Sequence, residues 1–141
     1  MTIYADSSFF VSVYIEDVHS RTAENLLNSG ERLWFTPFHY AEYAHAVAQQ
    51  VFHRNLTLAG AQQAYDEMEK DRALGLWIAV QIPENAFERC TELGRHYGPK
   101  LGVRTFDTLH VACALELKAE RFWTFDERQA KLAKAQGMKI S

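Results

Sequence analysis

Four acidic residues, Asp6, Glu42, Asp107 and Asp126, stand where strand and helix boundaries would gather carboxylates. Two of them close apolar runs that read as strands, Ile3-Tyr4-Ala5-Asp6 and Phe122-Trp123-Thr124-Phe125-Asp126. In a parallel sheet all strands point one way and ligands bind beyond their carboxyl ends, so both aspartates belong on the functional edge. Asp107 falls in the first turn of an apolar helix that leads into the second of these strands, where the helix dipole favours negative charge. Glu42 falls one turn into a helix that follows another short strand, Leu33-Trp34-Phe35, and that helix starts at the same edge. Each residue alone is explained as a cap or turn residue. Four such uses would not be expected to fall together at one edge. Two like charges about 5 Å apart repel by roughly 3 kcal/mol at an effective dielectric near 20, so the cluster needs protonation or a cation. One or two Mg²⁺ or Mn²⁺ ions suit oxygen donors. Such ions lower the pKa of a water, orient it in line and neutralise a phosphodiester and its leaving oxygen. The chemistry expected is phosphodiester hydrolysis.

The elements that must position these residues follow from patterning. Residues 2–5 form a strand that stops at Asp6-Ser7-Ser8, and helical material follows from about Phe9 to Val13 and from His19 to Asn28. Thr36-Pro37 has the form of an N-cap and a first-turn proline, and Tyr40, Ala44, Val47 and Val51 recur at helical spacing. A second helix begins with Thr57 as N-cap, and together the two read as a helical hairpin over about 38–74. Trp77 to Val80 is a third strand. Ala86, Cys90, Leu93 and Tyr97 mark an amphipathic helix expected to end at Gly98-Pro99. A loop over 98–104 then leads to a helix from about Phe106 to Lys118 that is apolar on nearly every side and therefore centrally buried. Arg121 to Phe125 is the fourth strand, Glu127 to Ala135 a helix, and Met138 to Ile140 a short last strand. Strands alternating with helices along the whole length predict an α/β fold with a central, mainly parallel, four- to five-stranded sheet and helices on both faces.

Composition narrows the class. The chain has 141 residues, 48% of them hydrophobic and 23% charged, which fits a single globular domain rather than a disordered segment. No apolar run is long enough for a membrane helix and no targeting leader is visible, so a cytoplasmic location is expected. Cys90 and Cys113 are too few for a disulfide framework and read as core thiols. A net charge of −3 argues against binding nucleic acid by bulk electrostatics. From Arg95 onward, however, nine Lys/Arg stand against five Asp/Glu, an asymmetry that points to a basic rim. The motifs GxGxxG, GxxxxGK[ST], GxSxG and HExxH are absent. Ser8 stands where a phosphatase of the haloacid-dehalogenase type needs a second aspartate, and His110 with Cys113 gives only one pair at zinc-like spacing. Tyr40, Tyr43, Trp77, Phe122 and Trp123 have core spacing and stay outside the site.

These residues resemble the PIN-domain family, and within it the VapC-type toxins. The resemblance runs the length of the chain. It begins at Tyr4-Ala5-Asp6-Ser7-Ser8, continues through Ala41-Glu42-Tyr43, and is most specific at Phe106-Asp107-Thr108-Leu109-His110-Val111-Ala112 and at Trp123-Thr124-Phe125-Asp126-Glu127-Arg128-Gln129. It implies a three-layer PIN-like domain over 1–141 and a Mg²⁺- or Mn²⁺-dependent endoribonuclease. Asp6, Glu42, Asp107 and Asp126 would be its acidic, metal-binding site, with Ser8 and Thr124 as supporting hydroxyls. It also implies a homodimer held inactive by a small VapB-like antitoxin, with the hairpin contributing to those contacts. The alternative is a catalytically silent PIN-like module that binds RNA or a protein.

Overall fold

The computed structural model describes residues 2–140. The elements run β1 (Ile3–Ala5), α1 (Ser7–Tyr14), α2 (Ser20–Leu27), β2 (Leu33–Phe35), α3 (Pro37–Phe52), α4 (Leu58–Ala73), β3 (Trp77–Ala79), α5 (Ala86–Leu101), α6 (Thr105–Glu116), β4 (Arg121–Trp123), α7 (Glu127–Ala135) and β5 (Lys139–Ile140). They fall into two compact units, residues 1–6 with 81–141, and residues 7–80. Every strand pairing within the units is parallel, as the alternation of strands and helices predicts. No helix among the described residues is long and apolar enough to cross a membrane.

In the first unit β4 lies between β1 and β5, with Ala5 opposite Trp123 and Phe122 opposite Ile140. The helix that is apolar all round is α6, and Thr108 through Ala114 are all buried. The Tyr4 ring stacks on Phe122 at 5.7 Å, and its hydroxyl hydrogen-bonds His110 Nδ1 at 2.8 Å, which satisfies both buried polar groups. Helix α5 does not stop at Gly98-Pro99 as expected but continues to Leu101 and ends on Gly102, whose φ of 66° is left-handed. A residue before proline is normally driven out of the α region by a clash with its own Cβ, and Gly98 has none, so the helix passes through. Cys90 and Cys113 are free and buried, and burial pushes the Cys113 thiol up to about 11. The folded state therefore holds this proton more tightly than the unfolded chain. Its stabilisation is complete below the unfolded value and is lost as pH rises through the folded one. Unfolding free energy is expected to fall by on the order of 2 kcal/mol between pH about 9 and 11. Urea titrations across that window should show a shallower fall in Cys113→Ala; an identical fall would remove the thiol as its cause.

In the second unit β2 pairs with β3, Leu33 opposite Trp77. Thr36 caps α3 as its sequence indicates: Oγ1 accepts the His39 amide at 3.2 Å, while the Thr36 amide donates to His39 Nδ1 at 3.0 Å. Thr57 caps α4 through the Gly60 amide at 2.9 Å. The hairpin is tied to main-chain carbonyls across its helices by Tyr43 Oη donating to the Ala64 carbonyl at 2.8 Å and Tyr65 Oη to the Ala44 carbonyl at 3.1 Å, and Tyr40 Oη donates across the same pair of helices to the Glu69 carboxylate. Phe10 of α1 meets Phe35 and Trp77 edge-on, each at 5.0 Å.

Candidate active site

β1 delivers Asp6 as the first residue past its carboxyl end. Asp6 is buried, and its amide donates to the Trp123 carbonyl at 3.1 Å. Because β1 and β4 are parallel and in register, Thr124 leaves the same end of the first unit's strands. Its Oγ1 lies 3.0 Å from Asp6 Oδ2 and 2.6 Å from Gln129 Oε1, so one hydroxyl proton is shared between two acceptors. The same oxygen accepts the Asp126 amide at 3.0 Å.

Asp126 is not the last residue of a strand, as the sequence suggests. β4 stops at Trp123, and Asp126 is the exposed N-cap of α7, its Oδ1 accepting the Gln129 amide at 2.7 Å. Capping answers a backbone donor that the helix leaves unpaired, and that requirement ends the strand early. Asp107 is half-buried in the first turn of α6, where the helix dipole favours its charge. Its carbonyl accepts from Gln129 Nε2 at 3.1 Å.

Gln129, which sequence reasoning leaves without a role, is therefore the hub of this unit's site. Fully buried, it joins Thr124, Asp126 and the backbone of Asp107. The signal for it is present in the sequence: a helix-capping Asp followed three residues later by Gln has the spacing of a capping box. Gln129→Ala removes the Nε2 bond to the Asp107 carbonyl and an acceptor from Thr124, and is expected to cost about 2 kcal/mol. Chemical denaturation checks this; a loss below roughly 0.5 kcal/mol, the size of an ordinary surface change, would deny Gln129 that part.

In the second unit Glu42 is half-buried on α3, in the second turn after Thr36, and its Oε1 accepts from Ser7 Oγ at 2.7 Å. Ser7 is buried and directly follows Asp6 in the chain, whereas Ser8, the hydroxyl expected from the sequence, is exposed. Nothing in the Ser7-Ser8 pair itself says which of the two meets a glutamate 35 residues away.

Among the described residues no three His, Cys, Asp or Glu side chains surround a point that could hold a metal ion. The donors that the first unit gathers are carboxylate, hydroxyl and amide oxygens without thiolate or imidazole, and in kind they match a hard divalent cation.

The PIN domain family profile matches residues 3–135. No curated protein matches the sequence. Among solved structures, the chain is similar to VapC20 of Mycobacterium tuberculosis, a toxin that cleaves the sarcin-ricin loop, at 16% identity and a TM-score of 0.71 over 97% of this chain and 96% of that one. It is similar to FitAcB of Neisseria gonorrhoeae at 16% identity and a TM-score of 0.68, covering 99% and 96%. VapBC2 of Rickettsia felis, bound to DNA from its promoter, gives 14% identity and a TM-score of 0.67, covering 100% and 98%. At these identities the likeness is one of fold.

Proposed function

Because the chain belongs to the PIN-domain family, we propose that it is a Mg²⁺- or Mn²⁺-dependent endoribonuclease and the toxin half of a VapBC-type pair. Both units form one PIN domain over residues 1–141, since the family match runs through both. Its acidic site consists of Asp6, Glu42, Asp107 and Asp126. The observation that carries the reading is the hydrogen-bonded set of Asp6, Thr124, Gln129, Asp126 and the Asp107 carbonyl, which ties three of the four acids into one network.

The carboxylates of Asp6, Asp107, Asp126 and Glu42 would hold the cation. When bound, the cation supplies an activated water and neutralises charge on the phosphodiester. The chain's own residues have distinct tasks. Thr124 and Gln129 fix Asp6 and Asp126 without adding charge. Ser7 fixes Glu42, and Ser8, exposed beside it, is a second supporting hydroxyl. In the reaction water adds to phosphorus, one ester P–O bond breaks, and the leaving oxygen departs with a proton.

The test is incubation of the purified chain with single-stranded RNA and Mn²⁺, with a chelator control. Attack by water leaves no 2′,3′-cyclic phosphate, and a 2′-deoxy substitution at the cut leaves cleavage intact. A cyclic product, or cleavage that survives chelation, overturns the reading. The toxin role, the cytoplasmic setting, the homodimer and a VapB-like antitoxin rest on the family. Expression of the chain alone is expected to arrest growth and Asp107→Asn to relieve the arrest; normal growth with soluble parent protein would sink the toxin role.

A further inference from the structure

The amino-terminal end of α6 carries more than Asp107. Phe106, its neighbour, leaves 59% of its surface exposed in the helix's first turn. Arg104 precedes the helix, and Arg95 of α5 lines a cleft of about 410 Å³ together with Thr91, Val103, Thr105 and Thr108. Arg128, in the first turn of α7, rests on the same loop: a Cβ added to Gly102 would lie 3.7 Å from its Nη1. None of these three guanidinium groups pairs with a carboxylate among the described residues. Elsewhere in this unit Arg89 is held by Glu116 at 2.6 Å. Three unneutralised cations and an exposed aromatic ring thus occupy one end of a unit whose acids would repel a polyanion.

We propose that this end of α6 is a subsite for single-stranded RNA, with a base stacked on Phe106 and phosphates on Arg95, Arg104 and Arg128. It rests on the ribonuclease reading and adds where the strand lies. Stacking suits a ring that is exposed and flanked by charge, because every base presents a π-face while the backbone requires cations at its sides. An apolar protein partner would not need the arginines, and a free anion would not need the ring.

The probe is a short, fluorescein-labelled, mixed-sequence RNA strand, with binding followed by anisotropy in chelator so that nothing is cut. Phe106→Ala is expected to bind it about 10-fold more weakly and Phe106→Trp to restore affinity. An abasic strand of equal length should bind the parent and Phe106→Ala alike. Arg95→Gln/Arg104→Gln should lower the slope of log K against log salt by about 1.4, roughly 0.7 per lost phosphate contact. All three substituted positions are exposed, so melting curves should match the parent's. Parent-like RNA binding by Phe106→Ala, an unchanged salt slope in the double variant, or no binding by the parent overturns the subsite. Because the readout needs neither metal nor cleavage, a chain that binds in this way but never cuts would refute the nuclease reading and leave the subsite standing.

Discussion

Asp107→Asn is expected to lower Mn²⁺-dependent cleavage of single-stranded RNA by at least about 10²-fold, the size of effect seen when one preorganised electrostatic contact to a transition state is removed. The substitution keeps shape and removes charge. Asp107 is tied to the rest of its unit through its backbone carbonyl, which accepts from Gln129 Nε2, so that tie survives in the variant. The fold loses the attraction between a carboxylate and the α6 dipole, about 0.3–1 kcal/mol. Activity and stability should therefore separate: cleavage by a fixed amount of protein collapses while the urea midpoint barely moves. Equal cleavage by parent and variant would assign the activity to a contaminant or to another site.

The second large effect is on stability. A cation that binds only the folded chain should raise unfolding free energy by about 2.7 kcal/mol at a hundredfold excess over its dissociation constant. For a chain of this length that is roughly 8 °C in melting temperature. Asp6→Asn/Asp107→Asn should abolish the rise. Asp126→Asn offers a sharper comparison, because Asn caps a helix about as well as Asp. That variant should melt like the parent in chelator yet gain less from Mn²⁺. If Mn²⁺ leaves the parent's melting temperature unchanged, or stabilises the double variant equally, the carboxylates do not hold a metal.

Local signals in the sequence locate most of the scaffold. Thr36 and Thr57 cap the helices that their spacing predicts, and β2 spans Leu33–Phe35 as the apolar run indicates. The misjudged boundaries have local causes that outrank hydrophobic pattern: Gly98 removes the clash that should have stopped α5, and the capping duty of Asp126 cuts β4 short. The acids are legible because their types and places at element ends carry the information. The groups that hold them are less so. Ser7 meets a partner 35 residues away, and Gln129 reaches Asp107 across 22, separations that no local pattern encodes.

The paired tyrosines of the α3–α4 hairpin have a consequence for how this surface can change over generations. Both phenols fasten to main-chain carbonyls, at Ala64 and Ala44, and every residue type supplies that acceptor. At these two ties the alignment of the helices asks for Tyr43 and Tyr65 but for no particular side chain opposite them, unlike the Tyr40–Glu69 bond, which specifies both partners. Outward-facing positions along the hairpin are free to drift, and with them whatever the hairpin recognises, while the two helices keep step.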